Sequence, residues 1–119
     1  MFSMFRSSAT TNPPSVQEVA AQVAQGKMIL IDVREIAEVR SSGKAEGAVV
    51  LPLSILPMKA DPHQPDPELK KGLPVVVYCA SGARSGRAAQ LLTQLGYGPV
   101  SNLGGLGDWA SGGGKVVPF

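Results

Sequence analysis

The spacing of apolar and polar positions changes several times along the chain, and each change marks an element. Val16, Val19, Ala20, Val23 and Ala24 recur at i, i+3, i+4, i+7 spacing. Ser15 followed by Glu18 supplies a capping box and Gly26 a stop, which together predict a first helix. Residues 28–33 form a continuous apolar run closed by Asp32 and Arg34, the pattern of a strand buried on both faces that surfaces at its carboxyl end. Residues 36–41 read as a short helix ended by Gly43, and residues 48–51 as a short buried strand ended by Pro52. Pro57, Pro62, Pro65 and Pro67 make residues 57–72 an exposed loop, with one helical turn expected near Glu68. Val75, Val76 and Val77 give residues 74–78 the strongest strand signal, because β-branched side chains suit a pleated surface and Pro74 at its start loses no needed N–H. Ala88, Leu91, Leu92 and Leu95 then mark an amphipathic helix closed by Gly96. Residues 100–103 make a last strand before a glycine-rich tail that holds Trp109, in which residues 112–114 read as a flexible turn.

Strands and helices that alternate with short connections predict an α/β fold, with a mostly parallel central sheet and helices on both faces. Ligands in such sheets bind beyond the carboxyl ends of the strands, and Cys79 follows the best strand directly. Residues 1–14 are expected to form a flexible N-terminal segment and residues 15–119 a single domain, since 119 residues suit one core. One cysteine excludes an intramolecular disulfide, and no Cys and His cluster has zinc spacing. The formal charge of +2 comes from 11 basic and 9 acidic residues spread along the chain with 5% aromatics, which gives nucleic-acid binding little support. Residues 1–12 carry no apolar run of signal-peptide length and no span of about 20 apolar residues follows, so a cytoplasmic location without membrane partners is expected.

The segment Cys79-Ala80-Ser81-Gly82-Ala83-Arg84-Ser85 joins the best strand to a helix. Small residues at Ala80, Ser81, Gly82 and Ala83 let the backbone close tightly, so N–H groups at the helix amino terminus can surround one negative centre. The first anion so held is the Cys79 thiolate. With Arg84 nearby, its pKa is expected to fall below the free value of roughly 8.5, which makes Cys79 a nucleophile at neutral pH. The alternative is that Cys79 is one more small buried residue at the end of a core strand.

On these residues the chain resembles the single-domain rhodaneses, a sulfurtransferase family. The resemblance rests on Asp32-Val33-Arg34-Glu35 after the first buried strand, Gly47-Ala48 before Leu51-Pro52, the Cys79 to Ser85 loop, and Asn102-Leu103-Gly104-Gly105 followed by Trp109. It implies a rhodanese-like fold and transfer of sulfane sulfur from thiosulfate or a persulfide donor to cyanide or a thiol. Cys79 would carry the sulfur as a persulfide, the amides of Ala80, Ser81, Gly82, Ala83 and Arg84 would cradle it, and Arg84 would help bind an anionic donor. Asp32, Arg34 and Ser85 are expected to support the site, with no cofactor or metal. A protein sulfur acceptor is the third partner class the resemblance allows. Where the family has Gly-His-Ile-Pro-Gly-Ala, this chain has Gly43-Lys44-Ala45-Glu46-Gly47-Ala48; altered packing without loss of chemistry is expected there.

Two rival functions fit the same fold. A phosphatase or arsenate reductase would also use a thiolate in an anion cradle, but such enzymes resemble Cys-x5-Arg, and only four residues separate Cys79 from Arg84. The shorter ring favours a single sulfur atom over a tetrahedral phosphate. A non-catalytic binding or regulatory module would bind its partner with Cys79→Ala unchanged, and the retained Cys79 argues against it. Elsewhere the plainer readings are preferred: an ion pair or backbone bonds for Asp32 and Arg34, solvent for His63 and a core anchor for Trp109. Arg87 is either solvated or a second attraction for anionic donors.

Overall fold

The computed structural model describes residues 14–119, so of the expected flexible segment 1–14 all but Pro14 lies outside the described residues. Five helices, α1 (Val16–Ala24), α2 (Ile36–Ser42), α3 (Leu56–Lys59), α4 (Ala83–Gln94) and α5 (Leu106–Ser111), alternate with six strands. The strands are β1 (Ile29–Asp32), β2 (Lys44–Ala45), β3 (Val49–Val50), β4 (Val75–Cys79), β5 (Val100–Gly105) and β6 (Val116–Val117). The central sheet has the order β3-β1-β4-β5 and its pairs are all parallel. No helix among the described residues is long and apolar enough to cross a membrane.

The two-residue period of the strands sorts the sheet into two cores. Ile29, Ile31, Val75, Val77 and Cys79 face Leu56 of α3 and Ala88 and Leu92 of α4. Leu30, Val76 and Tyr78 face Val19 of α1 and Trp109 of α5. Consecutive residues of β4 therefore have different neighbours: Tyr78 points to one layer and Cys79 to the other. That alternation, set by sequence position alone, puts the thiol on the α4 side.

Local chemistry explains the element ends. The Ser15 hydroxyl accepts the Glu18 N–H at 3.1 Å and the Glu18 carboxylate accepts the Ser15 N–H at 2.9 Å, closing the expected capping box. Gly43 terminates α2 at φ +81°, in the left-handed region that glycine enters without strain. The segment 57–72 departs from expectation: its helical turn is α3, and a non-helical turn stands near Glu68. Pro57 sits in the first turn of α3, where its missing N–H is no loss. The tail also holds more than a turn, since residues 106–111 form α5 and Val116–Val117 pairs antiparallel with Lys44–Ala45. Trp109 anchors this end, fully buried, and its indole N–H donates to the Lys115 carbonyl at 2.8 Å.

Asp32 and Arg34, expected to support the site, belong to the opposite layer from Cys79. Asp32 is paired in register with Tyr78, accepts the Tyr78 hydroxyl at 2.6 Å and holds the Arg34 guanidinium at 2.7 Å. Arg34 then donates to the Ser42 hydroxyl and the Gly43 carbonyl, each at 2.7 Å, tying down the end of α2. The Tyr78 oxygen accepts the Ala45 N–H at 2.9 Å, which fixes β2 within the segment where the family's His-Ile-Pro is replaced. Buried charges need such partners, and these two have them without contacting the thiol.

Candidate active site

Cys79 is the last residue of β4 and is buried. The chain then turns through Ala80 and Ser81 to Gly82, which caps α4 at φ +108°. That conformation is easy for glycine and strained for any residue with a Cβ. It aims the Gly82 N–H at Cys79 Sγ, 3.0 Å away. Ser85, in the first turn of α4, brings its hydroxyl oxygen to 3.3 Å from the same sulfur.

Burial by itself pushes the Cys79 thiol up, and this is the largest single influence on it. It is outweighed by the Ser85 hydroxyl and by the N–H groups of Ser85, Gly82 and Ser81 acting together, which leave the thiol lowered to about 7. The expected depression is present, but its leading causes are loop donors rather than Arg84. Near neutrality a large fraction of Cys79 is thiolate.

The loop itself rests on β5. A register shift between β4 and β5 places Gly104 opposite Tyr78 and Gly105 opposite Cys79. A Cβ at Gly105 would collide with the Ala80 carbonyl oxygen, so the loop closes over a position that only glycine can occupy. Asn102 clamps it from the side: Nδ2 donates to the Gly82 carbonyl at 3.0 Å, while Oδ1 accepts the Gly104 N–H at 3.0 Å. Asn102 Oδ1 also lies 2.7 Å from Ser85 Oγ. The one Ser85 proton can go to Asn102 or to the sulfur, so ionising Cys79 favours rotation of that hydroxyl toward Sγ.

The hydrogen bonds of the Arg84 side chain go to Glu38 and not to the thiol. Arg84 Nη1 and Nη2 donate to the two carboxylate oxygens of Glu38 on α2 at 2.6 and 2.8 Å. Glu38 is itself held by the Glu35 N–H at 2.9 Å, in the capping box of α2. Hydrogen bonds from Arg84 and then from the Glu35 backbone lower the Glu38 carboxyl to about 2, and the same pair raises the Arg84 pKa. Glu38 has no site signal in the sequence: the spacing Glu35-x-x-Glu38 marks it only as the third residue of a capped helix, and its contact with the loop spans 46 residues. Asn102 was part of a recognised motif without a function of its own; nothing local in the sequence shows that a β-bulge would bring it to Gly82.

Of the expected loop, Ser81, Gly82 and Ser85 reach the sulfur, Ala80 abuts Gly105, Ala83 opens α4 in an exposed position, and Arg84 turns to Glu38. Arg87 is exposed one turn further on, and His63 is exposed in the proline-rich segment. Among the described residues no group of His, Cys, Asp and Glu has the arrangement of a metal site.

A family model described as the rhodanese-like domain matches residues 15–111. A protein named sulfurtransferase from Allochromatium vinosum is 40% identical over 91 residues, covering 76% of this chain and 78% of its own. The thiosulfate sulfurtransferase PspE of Escherichia coli is 38% identical over 80 residues, covering 67% and 72% of the two chains. Among solved structures, a rhodanese-related protein from Thermoplasma volcanium superposes with a TM-score of 0.70 at 27% identity, over 89% of this chain and 97% of its own. With a family model over most of the chain and relatives named as sulfurtransferases at about 40% identity, the chain belongs to the rhodanese-like sulfurtransferase family.

Proposed function

We propose that the protein moves sulfane sulfur from thiosulfate or a persulfide donor to a thiol or cyanide acceptor through a persulfide on Cys79. One observation carries this reading: Cys79 Sγ stands at the carboxyl end of β4 with the Gly82 N–H at 3.0 Å and a pKa lowered to about 7. A thiolate with preorganised N–H donors suits an attack in which negative charge passes to one extra sulfur atom.

With thiosulfate, the Cys79 thiolate attacks the outer sulfur. A Cys79 S–S bond forms, the sulfur–sulfur bond of the donor breaks, and its electron pair leaves with sulfite. With a persulfide donor, the pair leaves with the donor thiolate. Cyanide then attacks the terminal sulfur of the Cys79 persulfide, forming thiocyanate and returning the electron pair to Cys79. Ser85 and the loop N–H groups, which hold the resting thiolate, serve the persulfide anion in the same way. The partners are therefore a small sulfur donor and a thiol or cyanide acceptor, with a protein thiol as an acceptor of the same chemistry.

The test is thiocyanate formation from thiosulfate and cyanide, and from an alkyl persulfide and cyanide, by the wild type and by Cys79→Ser. Turnover that Cys79→Ser abolishes supports the mechanism. Absence of turnover with both donors in the wild type refutes it.

A further inference from the structure

Resting on the sulfurtransferase reading, the geometry points to Glu38 as a specificity-determining residue that occupies the donor-binding edge of Arg84 and so biases the site against dianionic donors in favour of persulfides. Arg84 is the one charged side chain of the loop from Cys79 to Ser85. A sulfonate would naturally take the two-pronged edge of its guanidinium, and that edge is taken by Glu38, at 2.6 and 2.8 Å.

Glu38 does not owe its place to Arg84. The first turn of α2 holds its carboxylate through the Glu35 N–H at 2.9 Å, and the far end of α2 is tied through Arg34 to Ser42 and Gly43. The acid is thus presented to the loop by a fixed helix. The Glu35 carboxylate, held by the Ser54 hydroxyl at 3.1 Å, adds a second negative charge from the start of the same helix. An incoming dianion meets a guanidinium whose charge is already compensated.

The pair is also open to competition. The side chains of Arg84 and Glu38 keep 31% and 37% exposure, so a donor can reach them, but it must displace a bidentate carboxylate to use Arg84. The two donor classes differ in what they need there. Thiosulfate brings two negative charges, most of that charge on sulfonate oxygens outside the one-sulfur cradle. An alkyl persulfide delivers its outer sulfur to the loop N–H groups and leaves an uncharged body at the mouth. In both cases one S–S bond forms on Cys79 and one breaks in the donor, with the electron pair leaving as sulfite or as thiolate.

The experiment compares thiosulfate with the persulfide of 2-mercaptoethanol, each with cyanide as acceptor, for the wild type, Glu38→Gln, Arg84→Gln and the double variant. Glutamine keeps an oxygen that can accept the Glu35 N–H, so the helix start is preserved, and thermal unfolding of each variant checks this. Glu38→Gln is expected to raise kcat/KM for thiosulfate about three- to tenfold, chiefly through KM, and to change the persulfide reaction by less than about twofold. Added salt should reduce that gain, and the gain should vanish in the Arg84→Gln background. An unchanged or lowered ratio of thiosulfate to persulfide activity in a folded Glu38→Gln protein overturns the role of Glu38 while leaving sulfur transfer intact. A wild type that turns over neither donor overturns the sulfurtransferase reading, and this inference with it.

Discussion

Replacing Ser85 with alanine removes one hydroxyl from beside the thiol and leaves the loop backbone in place. Ser85 Oγ lies 3.3 Å from Cys79 Sγ and 2.7 Å from Asn102 Oδ1. A hydrogen bond to a charged group contributes ~1.5–3 kcal/mol. Here the proton must leave a short bond to Asn102 to serve the thiolate, so the net effect falls just below that range, at about 1.4 kcal/mol or about one pKa unit. The sign follows from which form gains: the hydroxyl stabilises the thiolate, so its loss raises the Cys79 pKa from about 7 toward about 8. At pH 7 the thiolate fraction then falls from about half to about a tenth. The rate of alkylation by iodoacetamide, followed from pH 5 to pH 10, should drop about fivefold at pH 7 and converge with the wild type at high pH. Sulfur loading should show the same displacement. An alkylation midpoint that does not move, in a variant whose unfolding is normal, would refute the assignment of Ser85 as a thiolate donor.

Gly105→Ala forces a Cβ into the Ala80 carbonyl oxygen, so it should cut sulfur transfer at least about tenfold by displacing the loop, measured as thiocyanate formation with circular dichroism to confirm the fold. Asn102→Ala releases the Gly82 carbonyl and the Gly104 N–H; it should lower stability by about 1–2 kcal/mol and speed amide exchange at the loop, read by denaturant unfolding and hydrogen exchange. Tyr78→Phe strands the Ala45 N–H and removes a donor from Asp32; a loss of about 1–3 kcal/mol in denaturant unfolding, with the Cys79 alkylation midpoint unchanged, is expected because that network lies on the other layer.

Most of this architecture is written in local pattern. The capping box at Ser15 and Glu18, the apolar runs of β1 and β4 and the glycine stops at 26, 43 and 96 each act over a few residues, so the sequence displays them directly. The Cys79 loop is legible for the same reason: strand, small residues, Gly82 and helix are consecutive. The β2–β6 pair joins residues about seventy positions apart, between Ala45 and Val116, and no short-range signal announces it. Arg84 is visible in the sequence as the loop's one charge, but its Glu38 partner lies 46 residues away, and only the tertiary fold brings the two side chains together. Asp32 and Arg34 form the ion pair that their positions favour, and Asp32 is in register with Tyr78, one residue before Cys79.

Intact mass of the wild type and of Cys79→Ser, taken after a persulfide or thiosulfate donor and again after cyanide, tests the central claim most directly. The account predicts one added sulfur atom on the wild type, its removal by cyanide, and no addition to Cys79→Ser. A wild type that gains no sulfur from either donor, or a Cys79→Ser protein that gains it equally, would contradict it.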